Sequence, residues 1–373
     1  MAKILFFVTE DWYFCSHRLP LAVAAQNAGH EVVVLTRVNA HGDLIRSHGL
    51  TLEHLEFSRS DRNPFKEVLL ILRLAAIYRR LNPDLAHHVA LKPVLYGSVA
   101  AWLSGLSKTV NAIAGLGYVF VSGQLRARLL RPWIRIACRL LLNRGASQVI
   151  VQNPDDRALL LGQRVLAPER INLIRGSGVD TKVFVSVPES DEVPLVILPA
   201  RLLWDKGVGE FVEAARILRK SGVSARFALV GEPDAENPSA IPVGQVEAWV
   251  REGVVEWWGR RDNMPSVYAQ SHIVCLPSYR EGLPKSLLEA ASCARPIVTT
   301  DVPGCREVVR HEQNGLLVPL RNVELLAKAL GRLIDDSRLR ASMGVRGREI
   351  VVAEFAIENV IEQTLALYRE ILA

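Results

Sequence analysis

Short apolar runs rich in β-branched residues alternate with helical stretches along this chain, and that alternation restricts its fold more than any other feature. In the first half, the predicted strands 3–9, 31–36 and 84–88 are separated by the predicted helices 18–28 and 64–81. A strand, a helix and a second strand at this spacing form right-handed βαβ units, which build a parallel sheet. The first half is therefore predicted to be an α/β domain.

The second half repeats the alternation. Its predicted strands are 194–199, 226–230, 254–258, 272–276 and 296–299, and its predicted helices are 209–221, 245–251, 284–293, 323–335 and 336–352. A polar, Gly- and Pro-bearing join predicts domains 1–178 and 179–355, with a last helix, 356–373, that packs back on the first domain. We expect two doubly wound, Rossmann-like parallel-sheet domains facing across a cleft, with ligand at the carboxyl ends of their strands.

Several protein classes are excluded. Hydrophobic residues make up 49% of the chain and charged residues 23%, which is a globular composition. The five cysteines lack CxxC spacing, so they indicate a reducing cytosol rather than a disulfide framework or a zinc cluster. No apolar run has the length of a membrane-spanning helix, and the first run meets Glu10 and Asp11 too early for a signal peptide. We therefore expect a cytoplasmic protein.

Positive charge is concentrated in the first half. The formal charge is +6, of which residues 1–180 carry +9 and the remainder −3. Residues 124–144 contain six arginines and Trp133 among leucines and isoleucines, without an acidic residue. A basic amphipathic helix of this kind suits an anionic membrane surface. An ordinary helix with a solvated cationic face is an equally good interpretation.

Two cations follow a predicted buried strand of the second half. Arg201 comes just after the run that ends at Pro199, and Lys206 precedes the next helix. Cations and a helix N-terminus at the carboxyl edge of a parallel sheet favour an anion, and a diphosphate is the natural guest. The alternative is that both are ordinary surface charges.

Two carboxylates stand on either side of a helix start at Pro284. At helical rise Glu281 and Glu289 are about 12 Å apart, whereas the carboxylates of glycosidases are roughly 5–9.5 Å apart. The pair is therefore a poor hydrolase pair, but it could hold two polyols of one extended ligand. The alternative is that Glu281 caps the helix and that a neighbouring helix provides a hydrogen-bonding partner for Glu289. Because Glu289 lies among apolar residues of its helix, its carboxylate requires either such a partner or a ligand.

Other candidates are weaker. Gly231 and Arg260 lie in turns after apolar runs of the second half. The acceptor-side candidates of the first half also follow apolar runs or form tight turns, and they are Glu10, Asp11, His17, His87, Lys92 and Gly115. There is no GxGxxG, P-loop or metal-ligand motif, so no metal cofactor is expected.

The segments ARLLWDKG, LVGEPD, EGLPKSLLE and NGLLVP stand in the order and spacing of the retaining glycosyltransferases of family 4, which have the GT-B fold. The chain resembles that family over nearly its whole length. Its segments EDWYFCSHRLPLA, HHVALKPVLYGSVAA and GLGYVF resemble a bacterial subgroup that builds capsule, O-antigen or exopolysaccharide chains on undecaprenyl diphosphate.

The resemblance implies a role for each matching residue. Arg201 and Lys206 would hold the donor diphosphate, and Glu281 would contact the transferred sugar, so these three are the expected catalytic residues. Glu289 would hold the ribose hydroxyls, and Arg260 would lie by the base. The expected donor-binding residues are Arg201, Lys206, Gly231, Arg260, Glu281, Gly282, Leu283, Pro284, Lys285 and Glu289.

The implied reaction moves a hexosyl or N-acetylhexosaminyl group from a nucleotide sugar, expected to be a UDP-sugar, to a saccharide on undecaprenyl diphosphate. Anomeric configuration would be retained. The expected partners are that donor, that acceptor and, through residues 124–144, the inner face of the bacterial plasma membrane; no nucleic acid is expected. The reaction is expected to need no metal, because cations and helix termini can stabilise the leaving charge.

The chain departs from the family pattern at two places. Ala114 stands where many members have a His, and Glu10-Asp11-Trp12 replace a Gly-Gly pair. Three alternatives remain open: a UDP-sugar 2-epimerase of similar fold, a nucleic-acid-binding protein that uses the basic half, and an inactive sugar-nucleotide sensor. The EGLPKSLLE motif and the basic helix favour transfer, and no basic cluster is interleaved with stacking aromatic residues as nucleic-acid binding requires.

Overall fold

The computed structural model describes residues 1–56, 63–113 and 125–373. Contacts between Cα atoms divide them into two units. Unit 1 comprises Met1–Ser177 with Val360–Ala373, and unit 2 comprises Gly178–Asn359. Each unit has its own parallel sheet and its own hydrophobic core.

Unit 1 is built on a seven-stranded sheet in the order β3-β2-β1-β4-β5-β6-β7, in which every neighbouring pair is parallel. The strands are β1 Lys3–Glu10, β2 Glu31–Arg37, β3 Thr51–His54, β4 Leu85–Val89, β5 Lys108–Ile113, β6 Ala146–Val151 and β7 Ile171–Leu173. The helices that precede unit 2 are α1 Asp11–His17, α2 Leu19–Asn27, α3 Gly42–Ser47, α4 Pro64–Leu81, α5 Leu91–Ser104, α6 Leu125–Leu142 and α7 Pro154–Gly162.

Unit 2 has a six-stranded parallel sheet in the order β10-β9-β8-β11-β12-β13. Its strands are β8 Leu195–Pro199, β9 Arg226–Val230, β10 Glu256–Gly259, β11 Ile273–Leu276, β12 Ile297–Thr300 and β13 Gly315–Val318. The helices that follow unit 1 are α8 Val208–Lys220, α9 Val243–Arg251, α10 Met264–Gln270, α11 Lys285–Ser292, α12 Cys305–Val308, α13 Val323–Asp335, α14 Ser337–Glu354 and α15 Ile357–Leu372. All but the first three residues of α15 belong to unit 1.

The two faces of the unit 1 sheet are covered by different helices. Phe6 and its neighbours on one face pack against α1, α2 and α15. Phe7 on the opposite face packs against α4 and α5, and Val149 on that same face packs against α5 and α6. Strands with helices on both faces can be apolar throughout rather than alternating, and β1 and β2 stand out in the sequence for this reason.

The predicted fold class, two Rossmann-like parallel-sheet domains, is confirmed. Local differences have physical reasons. The predicted helix 18–28 is α2, which begins after Arg18 takes a non-helical φ of −128° and has Pro20 in its first turn. The separate helix α1, which ends at His17 just before that break, was not predicted. His87 lies inside β4 and not at the end of a strand.

Candidate functional site

The predicted donor-side residues lie in the loops that follow the strands of unit 2. Arg201 and Lys206 follow β8, Gly231 follows β9, and Glu281 follows β11. Because all of these strands are parallel, their carboxyl ends share one edge of the sheet. Residues from distant parts of the sequence therefore meet at this edge.

Lys206 and Glu281 form an ion pair in which Nζ lies 2.5 Å from Oε1. Both side chains are largely buried. The loop that carries Glu281 is held against the loop that carries Lys206, since the Tyr279 N–H and the Ser278 hydroxyl both donate to the carbonyl oxygen of Asp205, at 2.8 and 3.2 Å. The contact between these two loops brings the Lys206 ammonium and the Glu281 carboxylate together, a direct pairing that the sequence did not indicate.

Gly207 allows the two loops to approach this closely. Its φ is +73°, and a Cβ at this position would lie 2.0 Å from the carbonyl oxygen of Pro277. A second close approach occurs at Gly304, where a Cβ would lie 2.7 Å from the carbonyl oxygens of Glu281 and Gly282. Any larger residue at either position would displace the backbone that carries Lys206 or Glu281.

Arg201 is more exposed than Lys206, and its guanidinium donates to the Asp234 carboxylate at 2.6 Å. Asp234 closes the LVGEPD segment, so the structure joins two of the sequence motifs at one ion pair. Gly231 in the same segment accepts a hydrogen bond from the Trp257 indole at 2.8 Å. Arg260 is exposed and pairs with Asp262 at 3.3 Å.

Glu289 is buried in α11. Its two oxygens face different partners: the Tyr268 hydroxyl donates to Oε2 at 3.0 Å, and Lys285 Nζ lies 3.4 Å from Oε1. Burial raises the pKa of the Glu289 carboxyl, and the nearby Lys285 opposes that shift. The protein therefore provides the hydrogen-bonding partner that the buried Glu289 carboxylate requires. That partner, Tyr268, was not among the predicted residues.

Tyr279 is a second residue that the sequence did not single out. Its hydroxyl donates to Glu210 at 2.6 Å, and the Arg321 guanidinium lies 4.6 Å from its ring centroid. Tyr279 lies two residues before the EGLPKSLLE motif begins at Glu281, and this position was the signal that could have found it.

The acidic residues predicted for the acceptor side are engaged within unit 1. Glu10 pairs with Arg37 at 2.9 Å. Asp11 accepts hydrogen bonds from the backbone N–H groups of Asn39 and His41, at 2.6 and 2.9 Å. These contacts hold the loop after β2 beside the carboxyl end of β1.

The other acceptor-side candidates are placed as follows. The His17 ring stacks on Tyr13 with centroids 4.1 Å apart, and Lys92 pairs with Glu67 at 2.8 Å. His87 is fully buried, with Nδ1 hydrogen-bonded to the Tyr368 hydroxyl. Burial, reinforced by the Arg18 charge, holds the His87 pKa well below its ordinary value, so the ring is neutral. Gly115, like Ala114, lies outside the described residues.

Two family models match the chain in sequence. One described as "Glycosyl transferases group 1" matches residues 193–336, and one described as "Glycosyl transferase 4-like" matches residues 3–153. The region matched by the first model contains strands β8 to β13, including the carboxyl edge of the unit 2 sheet, and the region matched by the second contains β1 to β6.

Curated relatives cover most of the chain. A Campylobacter jejuni N,N'-diacetylbacillosaminyl-diphospho-undecaprenol alpha-1,3-N-acetylgalactosaminyltransferase is 30% identical over 369 residues, which is 95% of each chain. An Escherichia coli UDP-Gal:alpha-D-GlcNAc-diphosphoundecaprenol alpha-1,3-galactosyltransferase is 23% identical over 81% of this chain and 79% of its own. Both are sugar transferases.

Solved structures share the fold. The HepE protein of Anabaena in complex with UDP-glucose superposes with a TM-score of 0.80 at 19% identity, covering 98% of this chain and 100% of that one. WaaG, a glycosyltransferase involved in lipopolysaccharide biosynthesis, superposes with a TM-score of 0.73 at 16% identity, covering 97% and 98%.

Proposed function

Because this chain belongs to the group 1, family 4-like glycosyltransferases, we propose that it moves a sugar from a UDP-sugar to a saccharide on undecaprenyl diphosphate. The names of the Campylobacter and Escherichia relatives support this acceptor, and the Escherichia name supports a UDP-sugar donor. Transferases among the relatives favour transfer over 2-epimerisation. The product is a growing chain of capsule, O-antigen or exopolysaccharide.

The ion pair of Lys206 with Glu281 is the observation that carries the proposal. A nucleotide sugar presents an anionic diphosphate directly beside a hydroxyl-rich ring, and a cation 2.5 Å from a carboxylate oxygen is complementary to that junction. Lys206 and the more exposed Arg201 bind the diphosphate, while Glu281 accepts hydrogen bonds from the sugar. Glu289, one turn into α11, binds the ribose hydroxyls.

The reaction proceeds with retention of configuration. The acceptor hydroxyl attacks the anomeric carbon from the face that the diphosphate leaves, so the new bond to the acceptor oxygen replaces the old bond to the phosphate oxygen on the same side. The leaving diphosphate takes the proton of the acceptor hydroxyl. Lys206 and Arg201 stabilise the charge on the leaving group, and no metal cofactor takes part. The transferred group is a hexosyl or N-acetylhexosaminyl unit.

The enzyme works at the inner face of the plasma membrane, where a lipid-linked acceptor is anchored. No helix in the described parts of the chain has the length and apolarity to cross a bilayer. The basic helix α6 supplies a surface contact instead, because Leu129, Trp133, Ile136 and Leu140 form one exposed apolar stripe along it. An exposed stripe bordered by arginines is suited to the headgroup region of an anionic bilayer.

A thermal-unfolding series with UDP, GDP, ADP and CDP tests the donor site. UDP at about 100 times its Kd should stabilise the protein by about 2.7 kcal/mol, enough to raise the unfolding temperature by several degrees. Lys206→Ala should lose most of the shift. Arg226→Ala is the matched control, because Arg226 forms an exposed pair with Glu256 at the opposite edge of the same sheet.

Transfer is then measured from UDP-sugars to undecaprenyl-diphosphate-linked saccharides, with and without EDTA. We expect turnover with retained configuration and equal rates in both. If GDP instead of UDP raises the unfolding temperature, the donor is a GDP-sugar. If EDTA abolishes activity and Mg²⁺ restores it, the metal-free mechanism is wrong. If no nucleotide raises the unfolding temperature, the donor site is refuted.

A further inference from the structure

Helix α4 carries an exposed apolar stripe of its own. Phe65, Val68, Leu69 and Leu72 are spaced at i, i+3, i+4 and i+7, and each is between 53% and 84% exposed. The opposite side of the same helix, with Leu74, Ala75 and Tyr78, is buried against the sheet. Amphipathic helices of water-soluble proteins normally leave polar residues on the outer side, so this stripe needs a partner.

The stripe on α4 and the stripe on α6 lie on the same side of unit 1. Both helices cover one face of the sheet, with α5 between them in contact with both. Their outer sides therefore point away from that face together. Trp102 and Leu103, in the last turn of α5, are also exposed.

The charges around this surface are almost all positive. The helices α4, α5 and α6 contain ten Lys and Arg residues but a single acidic residue, Glu67. Glu67 is paired with Lys92 and does not offset the charge of the outer side. An apolar surface bordered mainly by cations is complementary to an anionic bilayer, because the apolar side chains can contact the acyl chains and the cations can pair with the headgroups.

We propose that the first two turns of α4 insert into the anionic bilayer beside α6, giving the enzyme a two-helix membrane surface. The inference rests on the proposed function, since it concerns the surface at which a lipid-linked acceptor is met. Apolar insertion is the main contribution of α4, whereas α6 adds the denser set of arginines. The two contributions differ in their response to salt, because screening weakens only the second.

The position of α4 connects this surface to the acceptor side of the fold. Helices between parallel strands run against them, so the first turns of α4 and α5 lie toward the carboxyl edge of the sheet. There Glu67 of α4 binds Lys92 of α5 at 2.8 Å and also hydrogen-bonds Tyr96. The inserted turns are thus tied to a residue predicted to lie on the acceptor side.

The test is co-sedimentation of the full chain with vesicles of phosphatidylcholine and phosphatidylglycerol, at about 50 and 500 mM salt. The double variant Phe65→Ser with Leu69→Ser should lower the partition coefficient at least tenfold at both salt concentrations. Arg131→Glu with Arg135→Glu should lower it strongly at low salt and little at high salt. Val345→Ser with Val352→Ser is the matched control, since both valines are exposed on α14 of unit 2, and it should bind as the wild type does.

Two results would overturn the proposal. The first is an α4 variant that binds vesicles as strongly as the wild type does. The second is a wild-type protein that is dimeric without lipid and an α4 variant that is monomeric, because the stripe would then be a dimer interface. Unchanged thermal unfolding of the variant checks its folding, and slower hydrogen exchange of residues 64–72 on vesicles reports insertion independently. The UDP-induced thermal shift is measured in parallel. If UDP does not raise the unfolding temperature of the wild type, the donor site is refuted, but the vesicle-binding result is unaffected.

Discussion

At the residue scale, the Lys206–Glu281 pair sets the strongest expectation for activity. Glu281→Gln keeps the size of the side chain but removes the negative charge that holds Lys206 and that we propose accepts hydrogen bonds from the sugar. Transfer should fall by about 100-fold or more, the effect typical of losing one electrostatic contact to a transition state. UDP affinity should fall much less, because Lys206 and Arg201 remain. The measurements are initial rates and UDP titration calorimetry.

The control for Glu281→Gln is Glu256→Gln, which breaks an Arg–Glu pair of comparable length, 2.8 Å, on the same sheet. It should leave the rate unchanged. Full activity of Glu281→Gln would remove this carboxylate from the reaction.

Glu289 makes a prediction about pH. Burial raises the pKa of its carboxyl in the folded protein, so the group favours folding below the unfolded value near 4.5 and this contribution is lost as the pH rises through the folded value. At pH 7 the buried charge opposes folding. Glu289→Gln, which resembles the protonated acid, should therefore raise the unfolding temperature at pH 7, and the gain should shrink toward pH 4.5, while ribose binding weakens.

Glu252→Gln should change the unfolding temperature at pH 7 in the opposite direction. The hydrogen bond from Arg216 lowers the pKa of Glu252, so its charge favours folding at pH 7. This variant should lower the unfolding temperature there. Stabilisation by both substitutions would show that the effect does not come from the buried charge of Glu289.

At the element scale, the turn at Gly207 decides whether the Lys206 loop can lie against the Glu281 loop. Gly207→Ala adds the cost of a left-handed φ, about 1 kcal/mol, to a clash with the Pro277 carbonyl oxygen. We expect a lower unfolding temperature together with at least tenfold weaker UDP binding. Thermal unfolding and UDP titration measure the two effects.

Gly222→Ala separates backbone strain from the clash. Gly222 has a φ of +79°, but a Cβ there would have no atom within 4 Å. Its unfolding temperature should fall while UDP affinity stays at the wild-type value. Equal losses of affinity in both variants would mean that the close approach at Gly207 is unimportant for the site.

Elements with clear end signals could be predicted from the sequence. Helix α4 runs over the predicted residues 64–81, because Asn63 caps its start and Asn82, in a left-handed conformation before Pro83, ends it. Strands β5 and β6 were missed since polar residues interrupt their apolar pattern. Asn111 of β5 is buried and hydrogen-bonded to Ser147 of β6 at 3.0 Å, a network that no periodicity reveals.

The same distinction applies to the site. The residues of the donor side could be found from strand ends and motif spacing, but the pairing of Lys206 with Glu281 could not. The two are 75 positions apart in the sequence, and they meet because β8 and β11 are neighbours in the sheet. Strand order is a property of tertiary packing, which local pattern does not determine.

At the scale of the whole molecule, the predicted donor and acceptor residues lie in different units. Unit 2 holds the predicted donor residues, and unit 1 holds the basic helices and the predicted acceptor residues. Adding UDP should therefore slow hydrogen exchange most in the segments 200–207 and 277–289. The amino ends of β9 and β10, at Arg226 and Glu256, serve as the internal reference and should not change. Protection spread evenly over the sheet would contradict a site at its carboxyl edge.

The chain leaves unit 1 once and returns to it once, and these two crossings lie side by side. The Val179 N–H donates to the Phe355 carbonyl at 3.0 Å, and the Ile357 N–H donates to the Val179 carbonyl at 3.0 Å. Unit 2 is thus a single uninterrupted cassette whose ends adjoin. Under the proposed placement of the donor site in unit 2, recombination that replaced this one stretch of gene would exchange the sugar donor and leave the predicted acceptor residues of unit 1 unchanged.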